Sequence, residues 1–321
     1  MLRSFLIYLS QAGWAQRMVT GWSFAWNVAS RFVAGETNEE AIAVVEELNA
    51  KGINATLDQL GEHTSRAEEA VQSTEEILGI LDAIEESGVR AGVSIKLTQI
   101  GMGLDSTICR QNLRRILERA KEHDNFVRID IEDTPYTDIT IEAYNETLSA
   151  GFTPETVGMA VQSYLYRAEE DTKKMLENGT RFRLIKGAYK EPPNLAYPKK
   201  EDVDANFDLL TKILMDATLE NKFVKVSEDG RTPPVPAIAT QDDKRVEFAK
   251  QYAKKIGLEK EFFEFQMLYG IRRDLQNQLV DEGYQVRVYV PFGTQWYPYF
   301  MRRLAERPAN VWFFISNFFK K

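Results

Sequence analysis

The stretch FVRIDIE, from Phe126 to Glu132, indicates the fold most clearly, because a short run of apolar and β-branched residues ends there in two carboxylates. Such a run is typical of a strand in a parallel sheet that is covered on both faces. Similar short runs recur along the chain, and a longer amphipathic segment follows each of them. The predicted strands are 53–57, 93–97, 126–131, 157–165, 182–185, 235–239, 263–268 and 286–290.

This alternation of strands and helices predicts an α/β fold with parallel strands and crossover helices. Eight such units favour a closed (β/α)8 barrel of the TIM type over an open doubly wound sheet, and 321 residues suit a single barrel domain. We expect residues 1–50 to form an N-terminal helical appendage and residues 51–321 to form the catalytic barrel. Within the appendage, Trp14 to Phe32 predicts one or two helices, and Thr37 to Asn49 predicts another.

Three further segments predict local structure. The motifs at 73–76 (STEE) and 240–243 (TQDD) place Ser or Thr three residues before a carboxylate, which is the spacing of a capping box at a helix start. Segment 227–236 contains a glycine and three prolines and predicts a surface excursion before the sixth strand. Residues 296–307 predict a helix after the eighth strand.

Composition excludes several kinds of protein. The net charge of −8, with no Lys/Arg run longer than two, disfavours nucleic acid as a partner. Cys109 is the only cysteine, so no intrachain disulfide can form, and a free thiol suits a reducing cytoplasm. With His63 and His123 as the only histidines, we expect no metal site. No apolar run approaches the roughly 20 residues of a membrane-spanning helix.

In β/α barrels the catalytic side chains lie at the C-terminal ends of the strands. A polar residue at such a point also has a purely structural explanation, which is that it forms hydrogen bonds with the loop that follows. A cation in a strand that is buried on both faces needs an anionic partner or ligand, and this applies to Lys96 and Arg183. The polar residues at the predicted strand ends are Lys96, Asp130, Glu132, Gln162, Arg183, Lys186, Thr240, Gln241 and Tyr289.

The predicted last helix has a polar face formed by Tyr299, Arg302, Arg303 and Glu306, at positions i, i+3, i+4 and i+7. An exposed helix with an Arg302–Glu306 ion pair is the plain interpretation. The functional interpretation is a clamp in which two guanidinium groups bind a small carboxylate. Glu306 would then orient them or face a substrate amine, as an amino acid would require.

Two glycine-containing segments suggest ligand contacts. In Lys186-Gly187-Ala188-Tyr189 the small residues let the backbone approach a ligand, while Lys186 is able to neutralise phosphate; a tight turn is the alternative. Segment 101–106 (GMGLDS) resembles part of a dinucleotide fingerprint, which would suit an NAD-linked dehydrogenase, but Ser106 stands at the position of its third glycine.

Taken together, these residues resemble the proline dehydrogenase family from about residue 52 to about residue 310. That resemblance implies a distorted barrel with non-covalently bound FAD over the strand ends and the final helix across the C-terminal face. The matching stretches are Leu57 to Glu62, Ser94 to Leu97, Arg128 to Glu132, Val161 to Tyr164, Arg183 to Tyr189, Glu264 to Gly270, Tyr299 to Glu306, and Pro308 to Asn310.

The resemblance also implies roles for individual residues. Asp130 and Arg183 would be the catalytic pair, with Arg183 near flavin N5. The substrate-binding residues would be Lys96, Tyr189, Leu268, Tyr289, Tyr299, Arg302, Arg303 and Glu306. The FAD contacts would be Ile131, Gln162, Arg183, Lys186, Gly187, Ala188, Thr240 and Gln241. Two positions differ from the family pattern. Gln241 stands where many relatives have histidine, and Lys190 stands where some have tryptophan.

The implied reaction is the first step of proline catabolism, in which hydride passes from C5 of L-proline to flavin N5 and gives 1-pyrroline-5-carboxylate. Electrons would then pass to a quinone at the membrane, with the protein cytoplasmic or peripheral to the inner face. The aromatic and basic segment 311–321 would either touch that surface or pack on the barrel. The alternatives are a related flavoenzyme acting on hydroxyproline or another cyclic imino acid, and a non-catalytic sensor.

Overall fold

The computed structural model describes residues 6, 8–10, 12–20, 23–221 and 225–306. Eight parallel strands form a closed barrel in chain order, and β1 closes it by pairing with β8. This confirms the predicted barrel and all eight strands. The fourth strand ends at Gln162 rather than Leu165, and the eighth runs on to Phe292. The strands are β1 Asn54–Gln59, β2 Ala91–Ile95, β3 Val127–Ile129, β4 Val157–Gln162, β5 Phe182–Ile185, β6 Pro236–Ala239, β7 Glu264–Leu268 and β8 Gln285–Phe292.

Helices surround the barrel and precede it. None of those in the described ranges is long and apolar enough to cross a membrane. The α-helices are α1 Gly13–Thr20, α2 Ser23–Ala29, α3 Asn38–Asn49, α4 Ala67–Ser87, α5 Ser106–Glu122, α6 Thr134–Ser149, α7 Ala168–Leu176, α8 Lys200–Asn221, α9 Asp243–Ile256, α10 Arg273–Asp281 and α11 Trp296–Glu306.

The two predicted capping boxes are not helix caps of that kind. Thr74 lies inside α4, where its buried hydroxyl donates to the Ala70 carbonyl at 2.8 Å. The N-cap of α9 is Asp242, two residues after the predicted Thr240, and its carboxylate accepts from the Lys244 amide at 3.0 Å. A true capping box begins α3, between Thr37 and Glu40. Tertiary burial therefore overrides the local spacing at 73–76.

The N-terminal helices share an apolar cluster with α11. Trp26 of α2 packs against Trp296 of α11, with ring centroids 5.5 Å apart. The Tyr297 hydroxyl donates to the Leu9 carbonyl at 3.0 Å. Leu60, which follows β1, belongs to the same cluster, so α11 is held across the end of the barrel at which the strands terminate.

Gly270 fixes the contact between the barrel and the chain that follows α2. Its φ is +75°, and a Cβ there would lie 1.6 Å from the Arg31 carbonyl oxygen. We expect Gly270→Ala to lower the free energy of unfolding by about 2–5 kcal/mol, because left-handed strain adds to a backbone clash. Gly283→Ala is the matched control, since φ is +80° and nothing lies within 4 Å. If denaturant unfolding showed the same loss of unfolding free energy in both variants, this account would be contradicted.

The barrel interior is charged. Arg287 and Glu264 are almost completely buried there and form an ion pair at 2.9 Å. Arg128 is equally buried, and Gly158 on the next strand leaves room for it, because a Cβ would lie 2.8 Å from its Nη1. Burying a charge is costly unless it is paired and hydrogen-bonded; Arg287 meets this condition through Glu264, and Arg128 donates from Nη1 to the Met159 carbonyl at 2.9 Å.

Candidate active site

Lys96 and Asp58 form a buried ion pair where β1 and β2 end. The Lys96 ammonium lies 3.0 and 3.2 Å from the two Asp58 carboxylate oxygens. Burial disfavours the charge on Lys96, but Asp58, Asp130 and Glu62 outweigh it and raise the pKa of Lys96 above its usual value. Lys96 therefore stays cationic and is able to bind an anionic group.

Asp130 and Arg183 are held together by contacts on both side chains. Arg183 Nη1 donates to one Asp130 oxygen at 2.5 Å, and the Tyr289 hydroxyl donates to the other at 3.0 Å. Arg183 also donates to Ser94 Oγ at 2.9 Å and to Gln266 Oε1 at 2.6 Å, and its guanidinium lies 5.0 Å from the Tyr289 ring centroid. The guanidinium is thus fixed on several sides.

Tyr289 remains a neutral donor in this cluster. Burial raises its pKa well above the usual value, and the nearby carboxylates of Asp130 and Asp58 raise it further. The phenol donates its hydrogen bond to Asp130, and the charges of Asp58 and Asp130 both act on it.

Arg302 on α11 pairs with Glu62, which follows β1. Two nitrogens of the guanidinium donate to the two carboxylate oxygens at 2.7 and 3.1 Å. Burial favours the neutral form of Glu62, but Arg302 and Lys96 outweigh it and lower its pKa. Beside this pair, the Arg303 guanidinium lies 4.9 Å from the Tyr299 ring centroid. The side chain of Glu306 lies outside the described residues.

The Glu62–Arg302 pair predicts a pH-dependent stability. Because folding lowers the pKa of Glu62 from 4.5, the pair contributes stability that is complete above that pH and lost as the pH falls through the lowered value. We expect Glu62→Gln to lower the free energy of unfolding at pH 7 by about 1–3 kcal/mol. That deficit should shrink between pH 5 and pH 3 in denaturant titrations; a deficit independent of pH would contradict the pairing.

Several residues expected at a cofactor lie around the ends of β4 and β5. Gln162 Nε2 donates to the carbonyls of Ile131 and Glu132 at 3.0 and 3.3 Å. Its Oε1 is buried, and no hydrogen-bond partner is found for it in the part of the chain that the structure describes. Gly187 has φ +117°, and a Cβ there would overlap the Tyr164 ring at 2.4 Å, so a side chain cannot be accommodated. Ala188, next to it, is exposed.

Lys186 lies between two carboxylates. Its ammonium contacts the carboxylates of Asp204 and Asp242, the latter at 2.9 Å, so its charge is already compensated. Thr240 accepts from the Asp242 amide at 3.2 Å, and the Gln241 carbonyl accepts from Arg272. The loops after β5 and β6 are therefore connected through acidic side chains, Asp204 and Asp242, which were not among the predicted site residues.

The remaining expected substrate contacts lie beside these pairs. Leu268 ends β7 and packs on the apolar cluster around α11. Burial, reinforced by Glu62 and Glu132, raises the pKa of Tyr189, so its hydroxyl is neutral. Asp58 and Glu62 were missed as site residues, although Asp58 comes directly after the first predicted strand and Glu62 lies four residues further on.

The chain matches the family model described as Proline dehydrogenase over residues 41–315. It is 40% identical over 324 residues to Proline dehydrogenase 1 of Bacillus subtilis subsp. natto, with 100% of both chains covered. It is also 40% identical over 298 residues to Proline dehydrogenase of Deinococcus radiodurans, covering 92% of this chain and 91% of that one.

A solved structure of proline utilization A (PutA) from Bdellovibrio bacteriovorus, inactivated by N-propargylglycine, is also similar. It has a TM-score of 0.77 and 26% identity over 88% of this chain, which spans 33% of the length of that protein. The similarity thus extends from the sequence to the closed barrel and its surrounding helices. On these grounds, the chain belongs to the proline dehydrogenase family.

Proposed function

We propose that this chain oxidises L-proline to 1-pyrroline-5-carboxylate with FAD as cofactor, which is the first step of proline catabolism. The observation that carries this proposal, in a chain of this family, is a cluster of hydrogen-bonded charged side chains at one end of the barrel. It contains Lys96 with Asp58, Arg302 with Glu62, and Arg183 with Asp130 and Tyr289, and the charges of Asp130 and Glu62 both act on Lys96. The sequence similarity over the full length of monofunctional relatives supports the same reaction.

The substrate carboxylate would be bound by Lys96, Arg302 and Arg303. A guanidinium has five N–H donors and Glu62 takes two from Arg302, so the group retains donors for a ligand. Tyr299, Tyr289, Tyr189 and Leu268 would surround the ring of proline. We assign the substrate amine to Glu306 on the basis of its position on α11.

The residues present fit FAD. The orphaned, buried Oε1 of Gln162 needs a donor, and the flavin pyrimidine ring carries one. The backbone near Ile131, Gly187 and Ala188 would lie against the cofactor. Thr240 and Gln241 would also contact it. When bound, FAD supplies the acceptor for the hydride that leaves C5 of proline. Lys186 would meet the phosphates only by sharing its charge with Asp204 and Asp242.

The protein contributes orientation and fixed charge. Asp130 holds the Arg183 guanidinium, and Tyr289 donates to Asp130. With FAD bound, the positive charge of Arg183 would favour the negative charge that develops on the reduced flavin. Lys96 remains protonated and serves binding rather than proton abstraction, because its pKa is raised. No protein nucleophile is needed.

We further propose that a membrane quinone reoxidises the cofactor, with the protein at the inner face of the membrane. Segment 311–321, the predicted surface anchor, lies outside the described residues.

Steady-state oxidation with a soluble quinone tests the substrate assignment. Product captured by 2-aminobenzaldehyde should appear with L-proline, and kcat/KM should be at least about tenfold lower with hydroxyproline, because an apolar wall such as Leu268 offers no partner for the added hydroxyl. A higher kcat/KM with hydroxyproline would favour the related flavoenzyme. Flavin that no cyclic imino acid reduces would favour a sensor.

A further inference from the structure

A line of buried side chains runs from Arg183 through the barrel interior. Arg183 Nε donates to Gln266 Oε1 at 2.6 Å, and Gln266 Nε2 donates to Glu264. Glu264 in turn accepts from Arg287 Nε at 2.9 and 3.2 Å. Gln266, Glu264 and Arg287 are exposed by 3% or less, so water does not compete for these contacts.

The far end of this line is anchored to backbone. Arg287 donates to the carbonyls of Ala55 on β1 and Gly230, each at 2.9 Å. Gly230 belongs to the excursion before β6, has φ +69°, and would place a Cβ 2.6 Å from Asn54 Oδ1. The excursion therefore closes over Arg287, and Arg287 has little freedom to move.

The orientation of the Gln266 amide is determined by its two neighbours. A guanidinium can only donate, and an ionised carboxylate can only accept. The amide NH₂ must therefore face Glu264, and the amide oxygen must face Arg183. Gln266 thus presents Arg183 with an acceptor that carries no charge, and Asp130 remains the carboxylate that pairs with Arg183.

We propose that Gln266 is a positioning residue for Arg183, and that Glu264 and Arg287 set the direction of its amide. The inference rests on the proposed function, because it concerns how Arg183 acts on a bound flavin. A neutral acceptor orients the guanidinium without offsetting its charge. A carboxylate at the same place would orient it equally well but would weaken its field at the cofactor.

Gln266→Met removes both hydrogen-bonding groups at similar volume. We expect the rate of flavin reduction by proline to fall about tenfold or more, with the proline KM changed less than about threefold. The flavin midpoint potential should become more negative by about 30 mV, which is a tenfold change in a two-electron equilibrium. Anaerobic stopped-flow measurements and a potentiometric titration give the two readouts.

The double variant Glu264→Gln with Gln266→Glu separates positioning from a merely structural role. It keeps the total charge and a hydrogen-bonded link from Arg183 through residues 266 and 264 to Arg287, although Arg287 exchanges its carboxylate partner for an amide and the fold should lose stability. Its potential should nevertheless be more negative than that of Gln266→Met, because a second carboxylate now faces Arg183. A purely structural role predicts that the swap restores the potential and the rate together, and that result would overturn the proposal.

Asn112→Leu on α5 is the matched control, since it removes a buried amide that donates to the Ile100 carbonyl at 3.1 Å, away from the barrel interior. It should lose stability while keeping the parental potential and rate. If Gln266→Met does not fold, the proposal is tested by the flavin midpoint potential of the double variant alone, which should be more negative than that of the parent. A parent that proline does not reduce would defeat the proposed function; a parent that is reduced, with both Gln266 variants at parental potential and rate, would defeat only this inference.

Discussion

Replacing Arg183 with methionine is expected to slow flavin reduction by proline about 10³-fold, the largest effect predicted for a single substitution in this protein. Arg183 donates to Asp130, Ser94 and Gln266 at 2.5 to 2.9 Å, so the charge is held in one place before the reaction. Losing one fixed electrostatic group of this kind typically costs 10²- to 10³-fold, and here Asp130 also loses its partner. Anaerobic stopped-flow absorbance measures the rate directly.

Arg183→Lys is the control for charge alone. A lysine keeps the positive charge but cannot donate to three acceptors in a fixed plane. We expect proline to reduce its flavin about tenfold faster than in the methionine variant but much more slowly than in the parent. A methionine variant that reacts within tenfold of the parent would remove Arg183 from the chemistry.

Arg302→Met is expected to raise the proline KM about 100-fold, while the flavin content stays the same and kcat changes only a few-fold. The estimate corresponds to about 2–3 kcal/mol for a charge-assisted, two-point contact with a carboxylate. Inhibition by tetrahydrofuran-2-carboxylate, which keeps the carboxylate but has no amine to oxidise, should weaken by the same factor.

Two controls accompany this prediction. Glu62→Gln removes the partner of Arg302 but leaves the guanidinium free to bind substrate, so the proline KM should not rise comparably. Binding of pyrrolidine, which lacks a carboxylate, should be the same in Arg302→Met and the parent. An unchanged proline KM in Arg302→Met would be incompatible with a carboxylate clamp on α11.

Periodicity was enough to predict the barrel, because each strand is a short apolar run and the helices between them are amphipathic. The need of Lys96 and Arg183 for anionic partners was also predictable from burial. The identity of one partner was not, since Asp58 meets Lys96 only because β1 and β2 pair with Asp58 opposite Ser94. Such a register joins residues far apart in the chain and leaves no local spacing to detect.

The pairing of Arg302 illustrates the same limit. Helical spacing offered Glu306, four residues away, as a partner of Arg302, and it could not indicate Glu62, which pairs with Arg302 across the end of the barrel. Glu264 and Gln266 are a different case, because their i, i+2 spacing in β7 does place two polar side chains on one face. That the face is the barrel interior follows only once the closed sheet is known.

Anaerobic addition of L-proline to the purified, FAD-loaded protein tests the central claim most directly. The account predicts that the flavin absorption band bleaches and that one 1-pyrroline-5-carboxylate forms for each flavin reduced. A protein that holds FAD but keeps its absorption band with proline would contradict the proposed reaction, and a protein that does not take up FAD would contradict the cofactor assignment as well.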